Sequence, residues 1–153
     1  SESRLKSLQD NLILCFTGFA RTAEHIAKSQ IESTPHKEKE LNKMNEITNE
    51  AKKIILNKNI SIDEFGKLLN EQWFLKKSLT KYISNKAIDE IYNTAMNAGA
   101  IGGKLLGAGG GGFLLFYAKK ENHQKIKDSL KKKLFVPFRF EKTGSNIIYF
   151  SHD

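Results

Sequence analysis

Ten residues, Lys104-Leu-Leu-Gly-Ala-Gly-Gly-Gly-Gly-Phe113, concentrate the chemistry that this sequence could do. Five of its eleven glycines lie between Gly107 and Gly112, with Leu105-Leu106 leading in and Phe113-Leu-Leu-Phe-Tyr117 leading out. Glycine loses more backbone freedom on folding than any other residue, so a run of four belongs where positive φ angles or close approach require it. Both uses leave backbone N–H groups able to point at an anion, as in the nests that hold phosphates. A hairpin connection between two strands is the competing reading, although two or three glycines would suffice for one. The Gly-Lys-Ser/Thr ending of a Walker A loop is absent, so that mode of nucleotide binding is excluded here.

Three other places could meet an anion. Thr17-Gly18 ends a short apolar run and leads into a helix whose first turn carries Arg21 and Thr22. A helix N-terminus supplies free N–H groups and the positive end of a dipole. The competing reading makes Thr17 or Thr22 a helix cap and leaves Arg21 in solvent. Lys76 and Lys77 close another expected helix, where cations are also favoured for structural reasons. Lys131-Lys-Lys133 reads first as a solvated helix face. His25, His36, His123 and His152 share no metal-ligand spacing with one another or with Cys15. No Gly-x-Ser-x-Gly elbow and no obvious general base is present.

The elements that must position these residues can be read in order. Asn11–Phe16 is a buried strand, and Ala23, Ile26, Ala27 and Ile31 form a helical stripe over 21–33. Thr34-Pro35 breaks that helix. A long amphipathic helix spans 36–57, and Ser61-Ile-Asp-Glu64 spells a capping box for a helix to about Leu79, with Trp73 in the core. Ser84-Asn85 opens a fourth helix that stops at Ala98-Gly99. Gly102-Gly103 introduces a short apolar segment before the glycine loop, and Phe113–Ala118 is the clearest strand. A last helix covers 119–134, and 135–140 and 147–150 close the chain as strands around a Thr143-Gly-Ser-Asn146 turn. Helices grouped between strands indicate an α+β domain, an antiparallel sheet of about four or five strands covered by helices, for which a ferredoxin-like arrangement suffices.

The totals agree with one domain of 153 residues, 39% hydrophobic and 27% charged. No apolar run approaches the length that spans a bilayer. The single cysteine rules out an intrachain disulfide and agrees with a reducing, cytoplasmic setting. The net charge of +8 favours anionic partners: nucleic acid, phosphorylated metabolites or an acidic protein face. Only Arg4, Arg21 and Arg139 among the 25 basic residues are arginines, and lysine-rich usage alone does not argue for nucleic acid. The opening Ser-Glu-Ser, in place of methionine, is read as the start of a piece from a longer chain.

The segment Lys104–Phe113 resembles, in order and spacing, the third motif of the GHMP kinases, the superfamily of galactokinase, homoserine kinase and the mevalonate-pathway kinases. Thr17-Gly-Phe-Ala-Arg-Thr-Ala23, Trp73-Phe-Leu-Lys-Lys77 and Ile101-Gly-Gly-Lys104 narrow the resemblance to the sugar-1-kinase branch that acts on D-glycero-D-manno-heptose 7-phosphate. The likeness runs from about Leu12 to Tyr117. It implies the superfamily's C-terminal domain over 1–153, with the ATP-gripping Pro-x-x-x-Gly-Leu-Gly-Ser-Ser-Ala loop and the usual catalytic carboxylate on an N-terminal domain outside this chain. It further implies that Lys104, Gly107, Ala108, Gly109, Gly110, Gly111 and Gly112 support the phosphate-holding loop, and that Thr17, Arg21 and Thr22 lie on the substrate side. No catalytic or metal-binding residue is implied in this chain. The implied reaction passes the γ-phosphoryl of ATP, with Mg²⁺, to the anomeric hydroxyl of a sugar phosphate. ATP, that sugar phosphate and the N-terminal domain are then the partners, with no role for membrane or nucleic acid. Two other classes fit the composition: a basic ferredoxin-like module that binds RNA, and a catalytically inert interaction domain.

Overall fold

The computed structural model describes residues 1–19, 23–141 and 143–150. Its elements run α1 (Glu2–Asp10), β1 (Leu12–Phe16), α2 (Ala23–Ser33), α3 (Glu38–Leu56), α4 (Asp63–Leu79), α5 (Lys86–Asn97), β2 (Ala100–Leu105), β3 (Phe113–Ala118), α6 (His123–Ser129) and β4 (Leu134–Val136). The four strands form one antiparallel sheet in the order β2-β3-β1-β4. Read from the other edge the order is 4-1-3-2, the ferredoxin-like plan, with four helices where the simplest version has one between β1 and β2. The fold is α+β, as the grouping of helices and strands indicates.

Register divides the side chains of β1 and β3 between two cores. Ile13 stands opposite Phe116 and Cys15 opposite Leu114, on the side of the larger core with Trp73, Ile88, Ile91, Tyr92 and Ile126. Leu12 stands opposite Tyr117, on the side of a smaller core with Leu8, Leu69 and Phe65. Trp73 is fully buried, with its ring centroid 5.9 Å from that of Tyr92, so it is core.

β2 runs through Gly102-Gly103, which the sequence presents as punctuation. α4 crosses the strand so closely that a Cβ on Gly102 would lie 1.9 Å from the Gly66 carbonyl oxygen, and one on Gly103 would meet the Phe116 ring at 2.5 Å. Strand glycines here mark close backbone approach. Asn85 caps α5 by accepting from the Ile88 amide at 3.0 Å, and Gly99 follows the helix at φ 110°. The capping box before α4 is half made: Ser61 Oγ accepts from the Asp63 amide, while Glu64 pairs with Lys67.

One helix is added to the expected elements, and three expectations give way. α1 was not foreseen, since only Leu5 and Leu8 suggest it; Arg4 ties it down by donating to the carbonyls of Ile54 and Ile60. α6 covers 123–129 rather than 119–134, because a 3-10 turn (Lys120–Asn122) precedes it. The segment 147–150 is not a strand. The strand expected over 135–140 is cut short: β4 ends at Val136, because Pro137, with no N–H to continue the ladder, follows directly.

Candidate functional site

The glycine loop joins β2 to β3 at one end of the sheet. Gly107, Gly109, Gly110 and Gly112 have φ of 71°, 125°, 73° and 96°, a region that residues with a Cβ rarely enter. Gly111 is required for another reason: a Cβ there would lie 2.6 Å from the Phe19 carbonyl oxygen. At Gly109 a Cβ would also press on the backbone of Ile83, at 2.8 Å. The glycines therefore serve conformation and close approach together.

Hydrogen bonding gives the loop a direction. Lys76 Nζ donates to the carbonyls of Leu105 at 3.1 Å and Gly107 at 2.5 Å. Gln30 Nε2 donates to the Ala108 carbonyl at 2.6 Å. Thr17 donates to the Gly112 carbonyl twice, from its amide and from its hydroxyl, each at 2.9 Å. Two loop amides are also taken, Gly110 by the Ile83 carbonyl and Gly112 by the Phe19 carbonyl, both at 2.9 Å. The amides of Gly107, Ala108, Gly109 and Gly111 find no acceptor among the described residues, and all four residues are at least partly exposed. With the carbonyls of Gly107, Ala108 and Gly112 held by donors, a patch of unpaired N–H dipoles remains able to meet negative charge.

The two buried polar or charged side chains among the described residues, Thr17 and Lys76, both serve this loop. Thr17 thus clasps the exit of the loop from a fully buried position. Lys76 is 9% exposed and makes no ion pair among the described residues. Burial, with the Lys104 charge adding to it, brings its pKa down to about 8. Lys133 is drawn to the same end, donating to the Thr17 carbonyl at 2.8 Å and lying 5.3 Å from the Phe19 ring centroid. One lysine of the 131–133 run therefore leaves the solvated face the sequence suggests.

Lys104 sits apart from the loop's amides. Its side chain lines a cleft of about 430 Å³ between α3 and α4, with Phe65, Leu69 and Gln72, and burial lowers its pKa. Arg21 and Thr22, expected on the substrate side, lie outside the described residues. Among the described residues no group of His, Cys, Asp and Glu could hold a metal ion.

Sequence reading missed Lys76 as part of the loop's support, along with Gln30 and the carbonyls of Phe19 and Ile83. Lys76 left one usable signal, since it continues the inward stripe of Phe65, Leu69 and Trp73 where an apolar residue would be expected. The backbone acceptors left none.

Residues 38–136, which contain the whole loop and Lys76, match the family described as GHMP kinases C terminal. The D-glycero-alpha-D-manno-heptose 7-phosphate kinase of Campylobacter jejuni is 30% identical over 142 residues, covering 90% of this chain and 41% of that protein. The bifunctional fucokinase/GDP-fucose pyrophosphorylase of Arabidopsis thaliana is 27% identical over 137 residues, 84% of this chain and 13% of its own length. Among solved structures, the mevalonate kinase of L. major superposes with a TM-score of 0.68 at 21% identity, over 79% of this chain and 37% of that one. This chain thus spans less than half of each.

Proposed function

The chain belongs to the GHMP kinase C-terminal family, and on that premise we propose that it is the half of a sugar kinase that backs the transferred phosphate. Joined to an N-terminal domain that grips ATP, it would help pass the γ-phosphoryl group to the anomeric hydroxyl of heptose 7-phosphate, giving a 1,7-bisphosphate. The observation that carries this reading is the loop with its carbonyls clasped by Lys76, Gln30 and Thr17 and four amides unpaired. Phosphoryl transfer depends on positioning and on neutralising spread-out negative charge, which oriented amides and cations provide.

In this reading Gly107 to Gly112 approach the phosphates or the loop that holds them. Thr17, whose hydroxyl is spent on Gly112, contributes by shaping the turn at Gly18 and Phe19, and Arg21 grips the substrate's own phosphate. Lys104, whose side chain lines the cleft between α3 and α4, supports the loop from the end of β2 that leads into it. The described residues offer no metal-ligand cluster; in this reading ATP and Mg²⁺ are held mainly by the N-terminal domain. Of the strand aromatics Phe113, Phe116 and Tyr117 on which an RNA-binding module would stack bases, Phe116 and Tyr117 are fully buried and Phe113 is half-buried, which disfavours that alternative.

The test is ADP release by the intact two-domain protein with heptose 7-phosphate, galactose, fucose and mevalonate in parallel. Turnover of heptose 7-phosphate is expected, and Gly110→Val is expected to abolish it while the fold persists. Turnover of mevalonate alone would overturn the sugar assignment, and wild-type turnover in Gly110→Val would remove the loop from the chemistry. The isolated chain is expected to show no kinase activity.

A further inference from the structure

A lysine is an unexpected choice for the buried clasp beneath the glycine loop. Thr17, a neutral donor, holds the Gly112 carbonyl from full burial, and Gln30, another, holds Ala108. A neutral side chain could have held Leu105 and Gly107 in the same way. Instead an ammonium group is kept almost out of solvent, against the penalty for burying a charge, with no carboxylate paired to it among the described residues. Lys104 of β2 acts on it with the same sign. Lys77, next in sequence, is engaged elsewhere by Asp89 of α5 at 3.1 Å, and α2 presents uncharged Gln30 to the loop. An uncompensated buried cation behind unpaired amides is an arrangement completed by an incoming anion.

We propose that Lys76 is a positioning residue whose positive charge, beyond its two hydrogen bonds, gives the glycine loop its affinity for an anionic group. The inference rests on the loop being an anion receiver, as the proposed function has it. Charge and hydrogen bonding can be separated here because a neutral amine retains two N–H donors, enough for both carbonyls. Raising the pH through about 8 therefore removes the charge and leaves the clasp able to form.

The experiment titrates the full chain with sulfate, whose charge does not change between pH 6.5 and 9. Carbon-detected NMR shifts of Gly107 to Gly112 report binding. Wild-type affinity should fall about fivefold between those pH values, as expected for losing one nearby charge in a partly desolvated setting. Lys76→Arg, which keeps its charge throughout, should fall less than twofold. Lys76→Met should bind weakly at both. A fall in Lys76→Arg as steep as in wild type would overturn the inference, and so would wild-type affinity in a folded Lys76→Met. Lys76→Arg decides the question even where Lys76→Met does not fold. If sulfate moves no loop shift in wild type at pH 6.5, the anion-receiving reading itself fails and takes this inference with it; the other negative outcomes leave that reading standing.

Discussion

The β2–β3 connection and the segment after β4 differ most in where their backbone and side chains find partners. In the connection, the carbonyls of Gly107, Ala108 and Gly112 are held by Lys76, Gln30 and Thr17, and the amides of Gly110 and Gly112 by the carbonyls of Ile83 and Phe19. In the later segment the bonds among Glu141, Thr143 and Asn146 are short-range and exposed, and the Phe140 amide makes a longer tie to Gln9. Ile147, Ile148 and Tyr149 are 86%, 97% and 81% exposed. Each region has apolar residues on both sides of a glycine-bearing turn. Order follows instead from partners elsewhere in the fold, which can hold even a run of four glycines against its large conformational entropy.

The largest break in this contrast should come from adding one methyl group to each region. Gly109→Ala must place a Cβ at φ 125° and 2.8 Å from the Ile83 Cα, so urea unfolding should show a loss of about 3 kcal/mol. Gly144→Ala meets nothing within 4 Å and should change stability by less than about 0.5 kcal/mol. Equal effects would show that the glycine loop is not held as described.

The second effect comes from the buried charge under the loop. Lys76 has its pKa lowered from 10.5 to about 8, so between those values the unfolded chain holds more protons than the folded one. Stability from this group therefore rises with pH across that window, by about 2 kcal/mol between pH 8 and pH 10. Lys76→Arg does not titrate there and should lack this rise. The difference between their urea midpoints at pH 8 and pH 10 isolates it from the other lysines.

The third is smaller. Thr17→Val keeps the shape of the buried side chain and removes the hydroxyl that donates to Gly112, at an expected loss of about 1 kcal/mol. Thr143→Val, in the exposed segment, should be neutral in the same measurement. Hydrogen exchange at the Thr17 and Gly112 amides should accelerate only in the first variant.

What could be read from the sequence follows the same division between local and distant causes. The glycine loop, the Asn85 cap, the Gly99 stop and the α+β class were legible because each depends on nearby residues or on a periodic pattern. β2 was only half legible, since Gly102 and Gly103 answer to the backbone of α4 and the ring of Phe116 rather than to anything adjacent. α1 was not legible, because its two leucines matter less than Arg4 reaching Ile54 and Ile60, some fifty residues away in sequence. The loop was visible as a candidate site, but its donors come from the residue after β1 and from α2 and α4, and no spacing rule links Thr17, Gln30 and Lys76. The expected strand at 147–150 failed in the opposite direction: its composition suits a strand, but no described sheet edge pairs with it.

That failure leads to the smallest predicted effect. Apolar area stabilises a fold only to the extent that folding removes it from water, at about 25 cal/mol per Å². Ile148, with nearly all its surface still exposed, contributes almost nothing by this route, and Ile147 and Tyr149 little more. Replacing Ile147, Ile148 and Tyr149 with serine should therefore shift the thermal midpoint by less than about 2 °C. The same residues form a short, β-prone, uncharged run, Ile147-Ile-Tyr-Phe150, of the kind that promotes association between chains. The triple variant should thus scatter less light on prolonged heating at high concentration, even with its midpoint unmoved. A drop of 5 °C or more would mean that this segment is paired with the domain, and the contrast with the glycine loop would then be one of degree.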